Sequence, residues 1–364
     1  MKRISRLLLA TLIAAVGAVV GTTGPAVALA PGFVLTSSTA SLPTELSGLA
    51  NGKRIQYVTT TINGSTTTST GLVLTPKTGK NNKTVVWAHG TTGLADQCAP
   101  SANQSVFWPE ARIAIAELLS RGFTVAAPDY PGLGSVGAHP YLVGASEGRS
   151  IIDSVKAARS LDSALTVNYA VDGHSQGGQG AIFASQLAPS YDGNLVLKGT
   201  ATIAPVSNTQ EIIPYIAGTP VQGYLPMAMY GVAAVDATFN PLTVLAAPAK
   251  AKLGVLQTGC LYEILDAFED LTAEQMVVGG EVPPAVVTKM ASYENPAQTA
   301  PSAPVLIVHG TDDEAVPYFL SEILQDQIQA YGVSAELETI PGASHDQAVI
   351  DSADLVADWI VARF

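Results

Sequence analysis

The pentapeptide Gly173-His174-Ser175-Gln176-Gly177 follows a short apolar run and opens a helical pattern. In that G-x-S-x-G context a serine stands on a sharp strand-to-helix turn, the arrangement used for attack on a carbonyl carbon. The flanking glycines let backbone and helix approach closely. The positive end of the helix favours the oxyanion that such an attack creates. A serine hydroxyl is a weak nucleophile until a neighbouring base takes its proton. Five histidines are available. His89 and His309 end apolar runs, His139 lies in a Gly/Pro-rich turn, and His174 is inside the pentapeptide. Only His345, in Pro341-Gly342-Ala343-Ser344-His345, follows both the serine and a suitable acid, as the chain order Ser–acid–His requires.

The acid is expected in the loop after the apolar run Pro304–Val308, which reads His309-Gly310-Thr311-Asp312-Asp313-Glu314-Ala315-Val316-Pro317. Three adjacent carboxylates compete there. The spacing His-Gly-x-x-Asp-x-x-Val-Pro selects Asp313, whose work would be to hold the His345 tautomer and stabilise its imidazolium. Asp312 and Glu314 are then solvated loop charges.

Elements must hold these three residues together. Ile55 to Thr61 and Thr66 to Leu74 read as two strands joined by a turn at Asn63-Gly64. From Thr84 onward the pattern becomes strand–helix alternation. Apolar runs stand at Thr84–Ala88, Phe123–Ala127, Val167–Val171, Gly199–Ala204 and Val305–Val308, with a more alternating strand at Ala335–Ile340. Helical patterns occupy Pro109–Ser120, Ser146–Leu161, Gly177–Leu187, Tyr318–Tyr331 and Ala348–Arg363. Strands apolar on both faces and separated by amphipathic helices predict an α/β protein with a mostly parallel central sheet flanked by helices. Ligands then bind outside the carboxyl ends of the strands. The rhythm breaks between Ala204 and Pro304. A structureless loop of that length is improbable inside a compact domain, so 205–303 is expected to be a helical lid or cap. The core is then 29–204 together with 304–364.

The chain has 364 residues, 47% of them hydrophobic and 13% charged, which supports a large core and excludes a disordered or collagen-like protein. Lys2, Arg3 and Arg6 precede an apolar run of 14 residues from Leu7 to Val20 and a small-residue stretch, the layout of a secretory leader. The run is shorter than the ~20 residues of a membrane span. Cleavage is expected near Ala28 or Ala30, giving an extracellular chain without a transmembrane span. The net charge of −12 becomes −15 once the three leader cations are gone. Such an acidic surface repels nucleic acid. Cys98 and Cys260 sit in no nucleophile motif, and in an exported chain a disulfide is the expected state. No His/Cys cluster for a metal accompanies them.

Further segments add to the pentapeptide: Cys98-Ala99-Pro100-Ser101, Asp129-Tyr130-Pro131-Gly132, Tyr141 followed by Glu147-Gly148-Arg149 before a long helix, and Asp313-Glu314-x-Val316-Pro317-Tyr318. In order and spacing these resemble the secretory lipase family typified by fungal lipase A, over the chain from about Cys98 to its end. The resemblance implies the α/β-hydrolase fold with a helical lid inserted before the acid. It implies Ser175, Asp313 and His345 as a triad, Gln176 and Asp129 as oxyanion-hole contributors, and supports a Cys98–Cys260 pair. The His89-Gly90-Thr91-Thr92 loop also resembles the oxyanion loop of general esterases, which makes Thr91 the alternative second donor.

The expected activity is hydrolysis of apolar carboxylic esters through an acyl-enzyme, without metal or organic cofactor, on lipid presented at a lipid–water interface. Short-chain carboxylesterase or polyester hydrolase is the alternative on the same triad. A serine peptidase, an acyltransferase or a non-catalytic envelope-binding protein is further off. The sequence carries no signal for oligomeric state.

Overall fold

A computed structural model describes residues 29–364, and the expected leader over 1–28 lies outside the described residues. Nine strands form one sheet: β1 (Val34–Ala40), β2 (Ala50–Thr60), β3 (Thr66–Pro76), β4 (Thr84–Ala88), β5 (Thr124–Pro131), β6 (Asn168–His174), β7 (Val196–Ile203), β8 (Val305–Gly310) and β9 (Ala335–Ile340). Their order is β1-β2-β3-β5-β4-β6-β7-β8-β9. The pairs from β1 to β3 and on to β5 are antiparallel, and all pairs from β5 across to β9 are parallel. Because β4 lies between β5 and β6, the chain steps one way and then the other, and the crevice at the carboxyl ends of β4 and β6 is the expected ligand site.

The period of two along each strand divides the core. Val85 and Trp87 of β4 pack on one face, with helices α2 (Pro109–Ser120) and α12 (Gln347–Val361); a short helix, α1 (Thr44–Ser47), adds Leu46 there. Val86 and Ala88 pack on the opposite face, against α3 (Gly144–Leu161) and α4 (Gln176–Tyr191). This is the α/β-hydrolase fold.

Two departures from the sequence reading have local causes. The Ser/Thr-rich β1 carries almost no buried side chain and is held by backbone pairing to β2, so no apolar alternation marks it. Helix α4 runs past its expected end at Leu187 and through Pro189. Proline removes the N–H that would reach the Ser185 carbonyl. Ser302 fills that gap, donating its backbone N–H (3.1 Å) and hydroxyl (2.6 Å) to Ser185 O.

Between β7 and β8 stand six helices: α5 (Tyr224–Ala233), α6 (Ala247–Lys252), α7 (Val255–Thr258), α8 (Leu261–Phe268), α9 (Ala273–Met276) and α10 (Pro284–Glu294). They share one apolar cluster, including Met227, Met229, Ile264 and Phe268, which is completed by Tyr141, Val316 and Leu320 of the core. Helix α11 (Phe319–Ala330) follows β8 and packs Leu324 and Ile328 against Ile182, Val305 and Ile307.

Cys98 and Cys260 form a disulfide across 162 residues of sequence. It joins the loop after β4 to the start of α8. A loop of that size loses about 5 kcal/mol of unfolded-state freedom in the chain-entropy treatment. The Cys98→Ala/Cys260→Ala double variant should therefore show a large fall in Tm by calorimetry. An unchanged Tm would remove the disulfide from the account of stability.

Candidate active site

Ser175 occupies the turn between β6 and α4 with φ 56° and ψ −115°, a left-handed conformation that costs a non-glycine residue energy. Two glycines make the turn feasible. A Cβ on Gly177 would lie 1.9 Å from Ala88 O, and one on Gly173 would lie 2.3 Å from Gly177 O. Strand β4, strand β6 and helix α4 thus meet backbone to backbone, and the serine is lifted to the end of the sheet.

His345 follows β9 and Asp313 follows β8. Their side chains meet, His345 Nδ1–H donating to Asp313 Oδ2 at 2.6 Å. Asp313 Oδ2 also accepts from His309 Nε2–H at 3.0 Å, and Oδ1 accepts the backbone N–H groups of Ala315 and Val316, both at 2.8 Å. Burial raises the pKa of Asp313, but the hydrogen bonds of His309 and His345 outweigh it and hold the carboxyl well below its ordinary range. Asp312 and Glu314 are exposed. Ser175 and His345 line one cleft of about 560 Å³ together with Gly90, Thr91 and Trp108. Their side chains are not hydrogen-bonded to each other, a contact that in such sites tightens on substrate binding.

Two histidines read from the sequence only as strand ends or elbow filler have positions beside these groups. His309 donates to Asp313 from one side and pairs its Nδ1 with Ser321 Oγ at 2.6 Å. His174 donates from Nε2 to the His345 carbonyl at 3.2 Å, and the two rings lie 4.5 Å apart. Burial, then the neighbouring His345, holds the pKa of His174 well below the ordinary imidazole value, so it stays neutral. The sequence signal for both was the position at the carboxyl end of a parallel strand.

Gln176 is the first residue of α4, where backbone N–H groups lack intrahelical acceptors. Its side chain turns inward. Nε2 donates to Glu147 Oε1 at 2.8 Å and lies 3.2 Å from His139 Nε2, whose ring donates through Nδ1 to Pro131 O. The glutamine therefore leaves the cleft to its backbone N–H. Thr91 lines the cleft, and Gly90 beside it would bring a Cβ within 3.5 Å of Ser175 Cβ.

Asp129 is the departure. Its buried carboxylate lines neither cavity at Ser175. Oδ1 accepts the Ser101 N–H at 2.9 Å, while Oδ2 accepts the hydroxyls of Thr70 (2.7 Å) and Ser101. Both oxygens are thus engaged as acceptors within the fold. The carboxylate ties the β5 turn to β3 and to the Cys98–Ser101 segment.

Glu147 is fully buried, and desolvation pushes its pKa up to about 8. The native state thus keeps a proton that the unfolded chain releases near the ordinary value of 4.5. Where the native state binds more protons, stability falls as pH rises. The contribution is complete below about 4.5 and declines up to about 8. Glu147→Gln should therefore raise Tm relative to wild type increasingly between those limits. A Tm difference that is flat with pH would show that Glu147 ionises freely in the fold.

Among the described residues, the group spaced to hold a metal is His174, His345 and Asp346, which coincides with the candidate base. Glu110 also faces the cleft, its pKa raised to about 7 by burial and then by Asp346.

A serine on a strand–helix elbow of an α/β-hydrolase sheet, with a histidine–aspartate pair at the same end, is the arrangement of the serine hydrolases of this fold. The chain belongs to the secretory lipase family, whose pattern matches residues 99–364. A secreted triacylglycerol lipase of Malassezia globosa is 27% identical over 359 residues, covering 92% of this chain and 76% of that one. Lipase 7 of Candida albicans is 26% identical over 312 residues, with coverage of 80% and 69%. Among solved structures, Candida antarctica lipase A in its closed state superposes with a TM-score of 0.77 at 20% identity, covering 92% of this chain and 82% of that one. A rice cell wall degrading esterase from Xanthomonas oryzae gives 0.76 at 21% identity, with 92% and 100% covered. These two likenesses concern the fold. The protein is an esterase or lipase of a secretory family, and no helix of the described residues is long and apolar enough to cross a membrane.

Proposed function

We propose that this enzyme hydrolyses lipid esters, triacylglycerols among them, through Ser175 as nucleophile, His345 as base and Asp313 as its orienting acid. The observation that carries the reading is the 2.6 Å His345–Asp313 hydrogen bond at the cleft that Ser175 shares. Ser175 Oγ attacks the ester carbonyl while His345 takes its proton. The tetrahedral oxyanion is met by the Gln176 N–H at the helix end and, in preference to Asp129, by the Thr91 N–H. His345 then passes the proton to the departing alcohol, an acyl-enzyme remains, and a water activated by His345 releases the acid.

The two cavities at Ser175 divide the substrate. The alcohol takes its proton from His345, so it belongs in the open cleft that His345 lines. The first carbons of the acyl chain belong in the second cavity, about 60 Å³, whose wall includes Val206, Ile213, Leu225, Met290 and Val316 but not His345. The segment 205–303 supplies most of that wall, which supports its reading as a lid. The test is fluorophosphonate labelling mapped to Ser175, run beside hydrolysis of acetyl to long-chain esters, a triglyceride emulsion and an aliphatic polyester. Labelling at another serine, or an unlabelled protein, would overturn the assignment.

A further inference from the structure

The narrow cavity at Ser175 is apolar apart from a few residues, and one of these leaves a carboxyl oxygen unpaired. Glu294, the last residue of α10, lines the cavity with Met290 one turn before it. It is 1% exposed, and its Oε1 has no hydrogen-bond partner. Its structural contact is made by the backbone, the Glu294 carbonyl accepting from Gln179 Nε2 at 2.5 Å. Tyr141 and Thr209, which line the same cavity, are engaged. Tyr141 Oη pairs with Thr91 Oγ1 at 2.7 Å, and the Thr209 N–H and hydroxyl both donate to Asn295 Oδ1.

The Thr209 hydroxyl lies close enough to lower the Glu294 pKa somewhat, but it leaves Oε1 unpaired. A buried carboxyl oxygen without a partner is costly, and a methionine or leucine would complete the apolar wall without that cost. Burial raises the Glu294 pKa to about 7, and its place at a helix C-terminus opposes negative charge further. The group is thus suited both to accept and to donate a hydrogen bond. What Oε1 lacks is a partner, and a partner entering this cavity arrives on the acyl chain.

We infer that Glu294 selects acyl chains bearing a hydroxyl partway along their length, so that esters of hydroxy fatty acids are preferred to esters of plain ones. The inference rests on the proposed triad and on the narrow cavity holding the acyl group. A plain chain would leave the carboxyl unpaired in a dry site, whereas a hydroxyl at the matching carbon satisfies it. A hydroxyacyl glyceride and a polyester of hydroxyacyl units present the same chemistry, and they differ in whether the alcohol side fits the open cleft.

The experiment uses the secreted protein and the variants Glu294→Gln and Glu294→Met. kcat/KM is measured on plain octadecanoyl p-nitrophenyl ester and on its positional hydroxyl isomers. A hydroxyacyl glyceride and a hydroxyacid polyester are run alongside to separate the two sources. Wild type and Glu294→Gln should favour one hydroxyl position by about tenfold over the plain chain, the size of one net hydrogen bond. Glu294→Met should lose that preference and gain on the plain chain. Absence of any positional preference in wild type, or its persistence in a folded Glu294→Met, overturns the inference. If Glu294→Met does not fold, the wild-type scan decides alone. Fluorophosphonate labelling separates the two levels. Labelled Ser175 with no hydroxyl preference sinks only the Glu294 role, while unlabelled Ser175 sinks the reading of the site beneath it.

Discussion

Ser175→Ala will lower kcat by about 10⁶-fold, the loss seen when a triad nucleophile is removed, in a protein that still folds. The fold should tolerate the change because Ser175 contributes backbone rather than side chain to the structure. Its N–H donates to Ile203 O at 2.9 Å, and its carbonyl accepts from Gln179 and Val206. Alanine keeps all three bonds. The left-handed backbone at this position is strained for serine and alanine alike, so Tm should move little. The measurement is kcat on a soluble ester together with circular dichroism. A folded Ser175→Ala protein with near-normal turnover would transfer the nucleophile to another residue.

The second large effect is expected at Asp313. Asp313→Asn should cost about 10⁴-fold in kcat by releasing the imidazole from its tautomer and orientation. The neighbouring changes Asp312→Asn and Glu314→Gln should stay near wild type, since both side chains are exposed. Asparagine can supply one acceptor oxygen where the carboxylate oxygens accept four bonds, from His345, His309, Ala315 and Val316. Some loss of stability therefore accompanies the loss of rate. The sign with pH separates the two. The native carboxyl is held below its ordinary range, so its stabilisation is present above about 3.9 and is lost only as pH falls through the lower native value. The wild-type advantage in Tm should thus persist at neutral pH and shrink on acidification. If Asp312→Asn is instead the inactive variant, the acid lies one residue earlier.

The elements and the triad candidates were legible because their signals are local. Thr84–Ala88 and Ala335–Ile340 coincide with observed strands, the first marked by an apolar run and the second by alternation. His345 and Asp313 followed from chain order and spacing. What stayed hidden depends on partners distant in sequence. Strand β1 exists through pairing with β2, and the reach of α4 through Pro189 depends on Ser302. The roles of His174 and His309 appear only when the ends of β6, β8 and β9 come together. Asp129 is the sharpest case. A motif can name the residue, but the hydroxyls of Thr70 and Ser101 that make it an acceptor come from two other segments.

The bridge from Cys98 to Cys260 has a mechanical consequence. It does not stand alone, for Leu261, the next residue, donates its N–H to the Thr92 carbonyl at 2.9 Å. Two successive residues of the helical segment between β7 and β8 are thus fastened to the segment that begins at Thr91, one by a covalent bond and one by a hydrogen bond. The helices after β7 are thus pinned to the core at Cys260 as well as through their connections to β7 and β8. Helices on the two sides of Cys260 share one apolar cluster, so they hold that anchor between them. A displacement of the anchor is felt first in the segment that carries Gly90 and Thr91, which line the cleft beside Ser175.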